Sequence, residues 1–109
     1  MSEREERVAK NEATARDINE RLEAAQVVVA DERFLRVLCE CGNAACDFVL
    51  ALTGEEYEQV RTDPRRFVVR REHVMADVET IVSETERFVV VEKREGTAAE
   101  IVEERDPRS

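Results

Sequence analysis

The three cysteines of this chain, Cys39, Cys41 and Cys46, fall within eight residues, and no other feature constrains the fold as tightly. A C-x-C pair followed four residues later by a third thiol is close enough for one metal ion to be gripped by a single turn of chain. Zinc takes thiolate sulfur and imidazole nitrogen in a tetrahedron, and structural sites close all four positions with protein ligands. His73, the single histidine, supplies the fourth donor and completes a set of three thiolates and one imidazole. If His73 does not serve, Asp47 or Glu40 completes a site of three thiolates and one carboxylate, or a water does. A bound water would open hydrolytic chemistry with Glu40 as general base. No second carboxylate, serine or histidine constellation accompanies it, so the chain reads as a non-catalytic protein.

Two other readings of the thiols compete. Cys39 and Cys46 can be small buried hydrophobes at strand ends. Alternatively, Cys39 with Cys41 or Cys46 forms a regulatory disulfide, or a zinc-thiolate site that releases its metal on oxidation, which makes the chain a redox sensor. No Lys or Arg adjoins the cysteines in sequence to activate a thiolate. An odd number of cysteines also prevents complete disulfide pairing within one chain.

The rest of the sequence explains why a metal cross-link would matter. One domain fits in 109 residues, and 39% of them are charged, so the apolar core is small and the surface heavily ionised. Zinc holding Cys39–Cys46 to His73 would then supply much of the folding free energy. The formal net charge of −9 counts against binding nucleic acid through its phosphates, which calls for an excess of Lys and Arg. A local run of arginines, Arg61, Arg65, Arg66, Arg70 and Arg71, is expected to be a solvated face with intramolecular acidic partners. No stretch approaches the ~20 apolar residues of a membrane helix and no secretory signal is visible, which places the chain in the cytoplasm.

Residues 3–26 carry high-propensity Glu, Arg and Ala without Gly or Pro and predict a helix. A heptad frame sets Val8, Ala15 and Leu22 at one seam position and Asn11, Ile18 and Ala25 at the other. So narrow a seam suits a coiled coil or a helix laid in a groove. Residues 1–26 are therefore expected to be an arm that engages a protein partner or a second copy, residues 27–105 the zinc-binding domain, and residues 106–109 a frayed tail. Residues 27–30 end that helix or form a short strand. Phe34–Leu38 and Phe48–Leu52 predict a hairpin with the cysteines at its turn, where Gly42 and Asn43 provide positive φ.

Thr53-x-x-Glu56 is a capping box that opens a short helix burying Tyr57 and Val60 and stopping before Asp63-Pro64. Arg66–Arg70 predicts a third strand. The spacing of Val78, Ile81 and Val82 predicts a helix between Val74 and Glu86 with Asp77 as N-cap. Phe88–Lys93 is the most β-prone run and predicts a central strand. Thr97-x-x-Glu100 reads as a second capping box.

Taken along the chain, Asn11-Glu12-Ala13 with Asn19-Glu20-Arg21, then Cys39-Glu40-Cys41-Gly42, then Glu56-Tyr57-Glu58-x-Val60-Arg61-x-x-Pro64-x-x-Phe67-x-Val69, His73 and Phe88–Lys93 form a pattern that resembles small actinobacterial proteins of no assigned biochemical function. The resemblance covers nearly the whole chain and implies that the cysteines and His73 belong to one design. Glu72 stands where that pattern has a glycine. The expected fold is α+β: a leading helix, then an antiparallel sheet of three or four strands with short helices, pinned by Zn2+.

Overall fold

The first helix buries its polar side. In the structure, a computed structural model that describes residues 3–26, 34–43, 45–94 and 96–108, α1 spans Glu3–Gln26. Its inner face is Ala9, Glu12, Ala13, Arg16 and Asn19, all buried. The heptad seam is a different face: Ile18 is 38% exposed, Ala25 is exposed, and Val8, Asn11, Ala15 and Leu22 are half-buried. The surface beneath α1 offers a carboxylate, an ammonium and open carbonyls, and polar helix residues at i, i+3, i+4 and i+7 are drawn to it.

Under α1 lies a hairpin of β1 (Leu35–Leu38) and β2 (Val49–Leu52), with Leu35 opposite Leu52 and Val37 opposite Leu50. These four face inward, as the two-residue period of a strand requires. Cys39 N–H donates to Phe48 O at 2.9 Å, extending the ladder one step toward the cysteine turn. Residues 27–30 lie outside the described residues.

The second helix, α2 (Gly54–Val60), starts on the predicted capping box: Thr53 Oγ1 accepts from Glu56 N–H and Glu56 accepts from Thr53 N–H. Tyr57 and Val60 are buried, and the helix ends before Asp63-Pro64. A second antiparallel sheet follows, in the order β3 (Arg66–Val69), β5 (Val89–Lys93), β4 (Glu79–Glu84). As expected, β5 is central, with Val89, Val90 and Val91 all buried. The fold is therefore α+β, with its strands divided into sheets of two and three.

Two local expectations are corrected. Residues 79–84 form strand β4 instead of a helix. Thr80, Ile81 and Val82 are β-branched, and pairing with β5 satisfies their backbone where an isolated short helix would gain little. A bulge between Ile81 and Ser83 interrupts the register. The last helix, α3 (Thr97–Glu104), has Gly96 at its N-cap with φ of 141°, so Thr97 is the first helical residue and not the cap. Here a residue without Cβ, adopting a backbone that others resist, replaces the side-chain cap.

The expected tail is also tied down. Asp106 accepts from the buried guanidinium of Arg61, and Arg108 pairs with Glu20, Glu23 and Glu58. Ion pairs of this kind hold α1, α2 and the segment after α3 together.

Candidate metal centre

Cys39 and Cys41 are presented by the extended chain leaving β1, Cys46 by the return toward β2, and His73 by a 3-10 turn, Arg71–His73, that follows β3. That last turn is closed by His73 N–H donating to Arg70 O at 2.8 Å. The donor atoms of Cys39, Cys41, Cys46 and His73 all lie within 4.8 Å of one another. His73 Nδ1 is 3.4 Å from Cys39 Sγ and 3.7 Å from Cys46 Sγ. A tetrahedral zinc with ordinary Zn–S and Zn–N bond lengths separates sulfur from nitrogen by about 3.6 Å and sulfur from sulfur by about 3.8 Å. The two His73–sulfur separations already match such an ion, and the remaining donors, all within 4.8 Å, would close on it by at most about 1 Å.

Surrounding contacts fix these donors. Arg70 N–H points at Cys39 Sγ from 3.3 Å, the kind of backbone donor that stabilises a thiolate. The loop between Cys41 and Cys46 is built by Asn43, whose Oδ1 accepts from Ala45 N–H and whose carbonyl accepts from Cys46 N–H. Gly42 adopts φ of +81°, while Asn43 has no positive φ, so the turn uses one of the two residues expected to supply it. Phe48 meets the imidazole edge-on with ring centroids 5.4 Å apart, and the Arg70 guanidinium lies over the Phe48 ring at 4.1 Å.

Burial pushes the Cys39 and Cys41 thiols upward from their ordinary range, and Cys46 adds to the rise at both. Raised thiols are poor nucleophiles, and a cation at their centre reverses the preference by making the thiolate the favoured form. Metal binding must displace their protons, so affinity falls in acid.

The two carboxylates considered as alternative ligands lie elsewhere. Asp47 is exposed and outside the cluster. Glu40 is fully buried, but on an extended C-x-C segment its side chain points opposite to the thiols. Its carboxylate accepts from Arg16 Nε at 2.8 Å and Nη2 at 3.0 Å, from Asn19 Nδ2 at 2.9 Å, and from Val68 N–H at 2.9 Å. A carboxylate so fully engaged is neither a ligand nor a free base. A cleft of about 460 Å3 between β2 and the β4–β5 turn is lined by Phe48, Arg70 and Arg87 among others, and none of the four donor residues opens into it.

The arginine run is paired throughout. Arg61 meets Glu20 and Asp106, Arg65 meets Glu103, Arg66 meets Glu92, Arg70 meets Glu72, and Arg71 meets Glu84.

Two buried clusters escape a reading of the sequence. One is the Arg16–Glu40–Asn19 group above. In the other, the Lys93 ammonium lies 2.6 Å from Glu12 Oε1 and 3.4 Å from Glu79 Oε2, with all three residues at least 98% buried. The available signal was a polar stripe, Glu12, Arg16 and Asn19, on one face of α1 beside Ala9 and Ala13. Among the described residues, no helix is long and apolar enough to cross a membrane. Comparison of the chain with protein-family models, with curated proteins and with solved structures returns no match.

Proposed function

We propose that this is a small non-catalytic zinc-binding protein, an interaction or regulatory module of the cytoplasm in which Zn2+ is structural. The observation that carries the reading is the convergence of three thiols and one imidazole from three separate segments, all within 4.8 Å of one another, with His73 Nδ1 at 3.4 and 3.7 Å from two of the sulfurs, near the sulfur–nitrogen edge of a zinc tetrahedron. With four protein donors the ion keeps no open position for substrate. The nearest carboxylate, Glu40, is committed to Arg16 and Asn19. In a reducing compartment three clustered thiols persist as ligands. A partner or a second copy would engage α1 on its outward face, where Ile18 is exposed.

Elemental analysis of the purified chain tests this reading. About one zinc per chain is expected, and chelation should remove on the order of 10 kcal/mol of apparent folding free energy. His73→Ala should weaken zinc measurably. A metal content below about a tenth of the one-site stoichiometry, with full folding in chelator, would overturn it. The redox alternative requires zinc to leave reversibly under peroxide. The burial of Cys39 and Cys41, which limits access of an oxidant, favours a structural site over that sensor.

A further inference from the structure

Around the C-x-C segment the chain alternates between two clients. Residues 39 and 41 turn toward the metal position, and residues 38, 40 and 42 turn toward α1. At Leu38 the helix reads the backbone: Asn19 Oδ1 accepts from Leu38 N–H at 2.7 Å and Asn19 Nδ2 donates to Leu38 O at 2.9 Å, so one side-chain amide pairs with the strand end as a neighbouring strand would. At residue 40 it reads the side chain, Arg16 and Asn19 gripping the Glu40 carboxylate. At Gly42 it reads the backbone again, Asn11 Nδ2 donating to Gly42 O at 3.0 Å. The approach is so close that a Cβ on Gly42 would lie 2.5 Å from Val8 Cγ1 and 3.0 Å from Glu12 Cγ.

Arg16 also donates to Arg66 O, and Glu40 N–H donates to Val68 O at 2.8 Å, so the same group fixes the C-x-C segment against β3. His73 follows β3 closely, and the Arg70 N–H that faces Cys39 Sγ belongs to the residue just after it. The helix face that does this buries little apolar surface: its fully covered apolar residues are Ala9 and Ala13. Its docking therefore depends on these polar contacts more than on hydrophobic area.

We propose that Asn11, Arg16 and Asn19 are positioning residues of the metal centre, acting through Leu38, Glu40 and Gly42, so that metal affinity and docking of α1 are one coupled equilibrium. The inference rests on the reading of Cys39, Cys41, Cys46 and His73 as ligands given above. Its physical basis is that a tetrahedral site demands thiols held to a fraction of an ångström, and α1 fixes the backbone that carries two of them before the ion arrives. By linkage, whatever factor the docked helix adds to metal affinity, the bound metal returns to helix docking. Loss of the ion would then loosen α1 and uncover Glu12, Arg16 and Asn19, which gives the metal site an output at a surface.

The test is competitive titration of the full chain with Zn2+, paired with the visible spectrum of the Co2+ form. Asn19→Ala should weaken Zn2+ by about 10- to 100-fold and shift the Co2+ spectrum. Val90→Ala removes packing beside α2 and β4, on the face of β5 opposite the one from which Lys93 meets Glu12 of α1, and should leave both unchanged. Asn11→Ala keeps the Glu40 cluster whole and decides the matter if Asn19→Ala does not fold; it should weaken Zn2+ several-fold. If neither Asn11→Ala nor a folded Asn19→Ala moves affinity or spectrum, the coupling is overturned while the metal centre stands. If Val90→Ala weakens Zn2+ as much as Asn19→Ala, the effect is general stability and the coupling is likewise overturned. A wild-type chain that takes up no Zn2+ fails the metal reading itself, and the coupling with it.

Discussion

Two buried clusters of charge hold α1 on the molecule, and they differ in how their valences are met. Around Glu40 one carboxylate faces one guanidinium, and the remaining lone pairs are filled by Asn19 and Val68 N–H. Around Lys93 two carboxylates share one ammonium, which sits 2.6 Å from Glu12 Oε1 but 3.4 Å from Glu79 Oε2, and Glu12 Oε2 has no hydrogen-bond partner among the described residues. A satisfied buried network specifies geometry, whereas an unsatisfied one carries a standing electrostatic cost. The first cluster abuts the metal donors, where geometry matters. The second sits at the C-terminal end of β5 and reaches the cysteine segment only through the Glu12 stem that lies against Gly42.

The imbalance at Lys93 is relieved by a proton. Burial pushes the Glu12 carboxyl well above its ordinary value of 4.5, Lys93 opposing the rise and Glu79 adding to it. A proton on Glu12 removes one of the two carboxylate charges that face the Lys93 ammonium. The folded chain thus keeps a proton that the unfolded chain releases above about pH 4.5. For this group stability is undiminished below that pH and falls as pH rises toward the folded value.

Breaking the satisfied cluster should cost most. Glu40→Ala leaves Arg16 buried without its carboxylate and Val68 N–H without its acceptor, and chemical denaturation should show a loss of about 3–5 kcal/mol. Lys93→Met should cost less, about 3 kcal/mol near neutral pH, because the Glu12 carboxyl, pushed upward by burial, can take up a proton; the loss should shrink as pH is lowered. A pH-independent loss would mean that Glu12 does not titrate. The smallest effect has the opposite sign. Glu12→Gln mimics the protonated acid and should stabilise the chain near pH 8, the gain vanishing by about pH 4. Destabilisation at both pH values would show that Glu12 is ionised in the fold and that the contrast between the clusters is wrong.

Much of this architecture is legible in the residues themselves. Three thiols in eight residues announce a cluster close enough to hold a metal ion, β-branched runs such as Phe88–Lys93 announce strands, and Thr53-x-x-Glu56 announces a helix start, because each is a local signal with a local cause. The helix expected near Asp77 fails for a physical reason. Val78, Ile81 and Val82 have helical spacing, yet on an edge strand both Ile81 and Val82 stay largely exposed, at 47% and 41%, and no apolar face is formed. Pairing with β5 outweighs that periodicity. The inner face of α1 is hidden from a hydrophobic pattern because its buried residues are Glu12, Arg16 and Asn19, which reach burial only through partners far along the chain. For Glu40 the clue lies in alternation: between two ligands that face one way, the middle residue faces the other.

The most direct test of the metal centre is the zinc K-edge absorption spectrum of the purified chain, which reports the atoms bound to the ion. Three sulfurs at about 2.3 Å and one nitrogen at about 2.0 Å are predicted, with the nitrogen lost in His73→Ala. A zinc bound only by oxygen and nitrogen, or a nitrogen contribution unchanged in His73→Ala, would contradict the account.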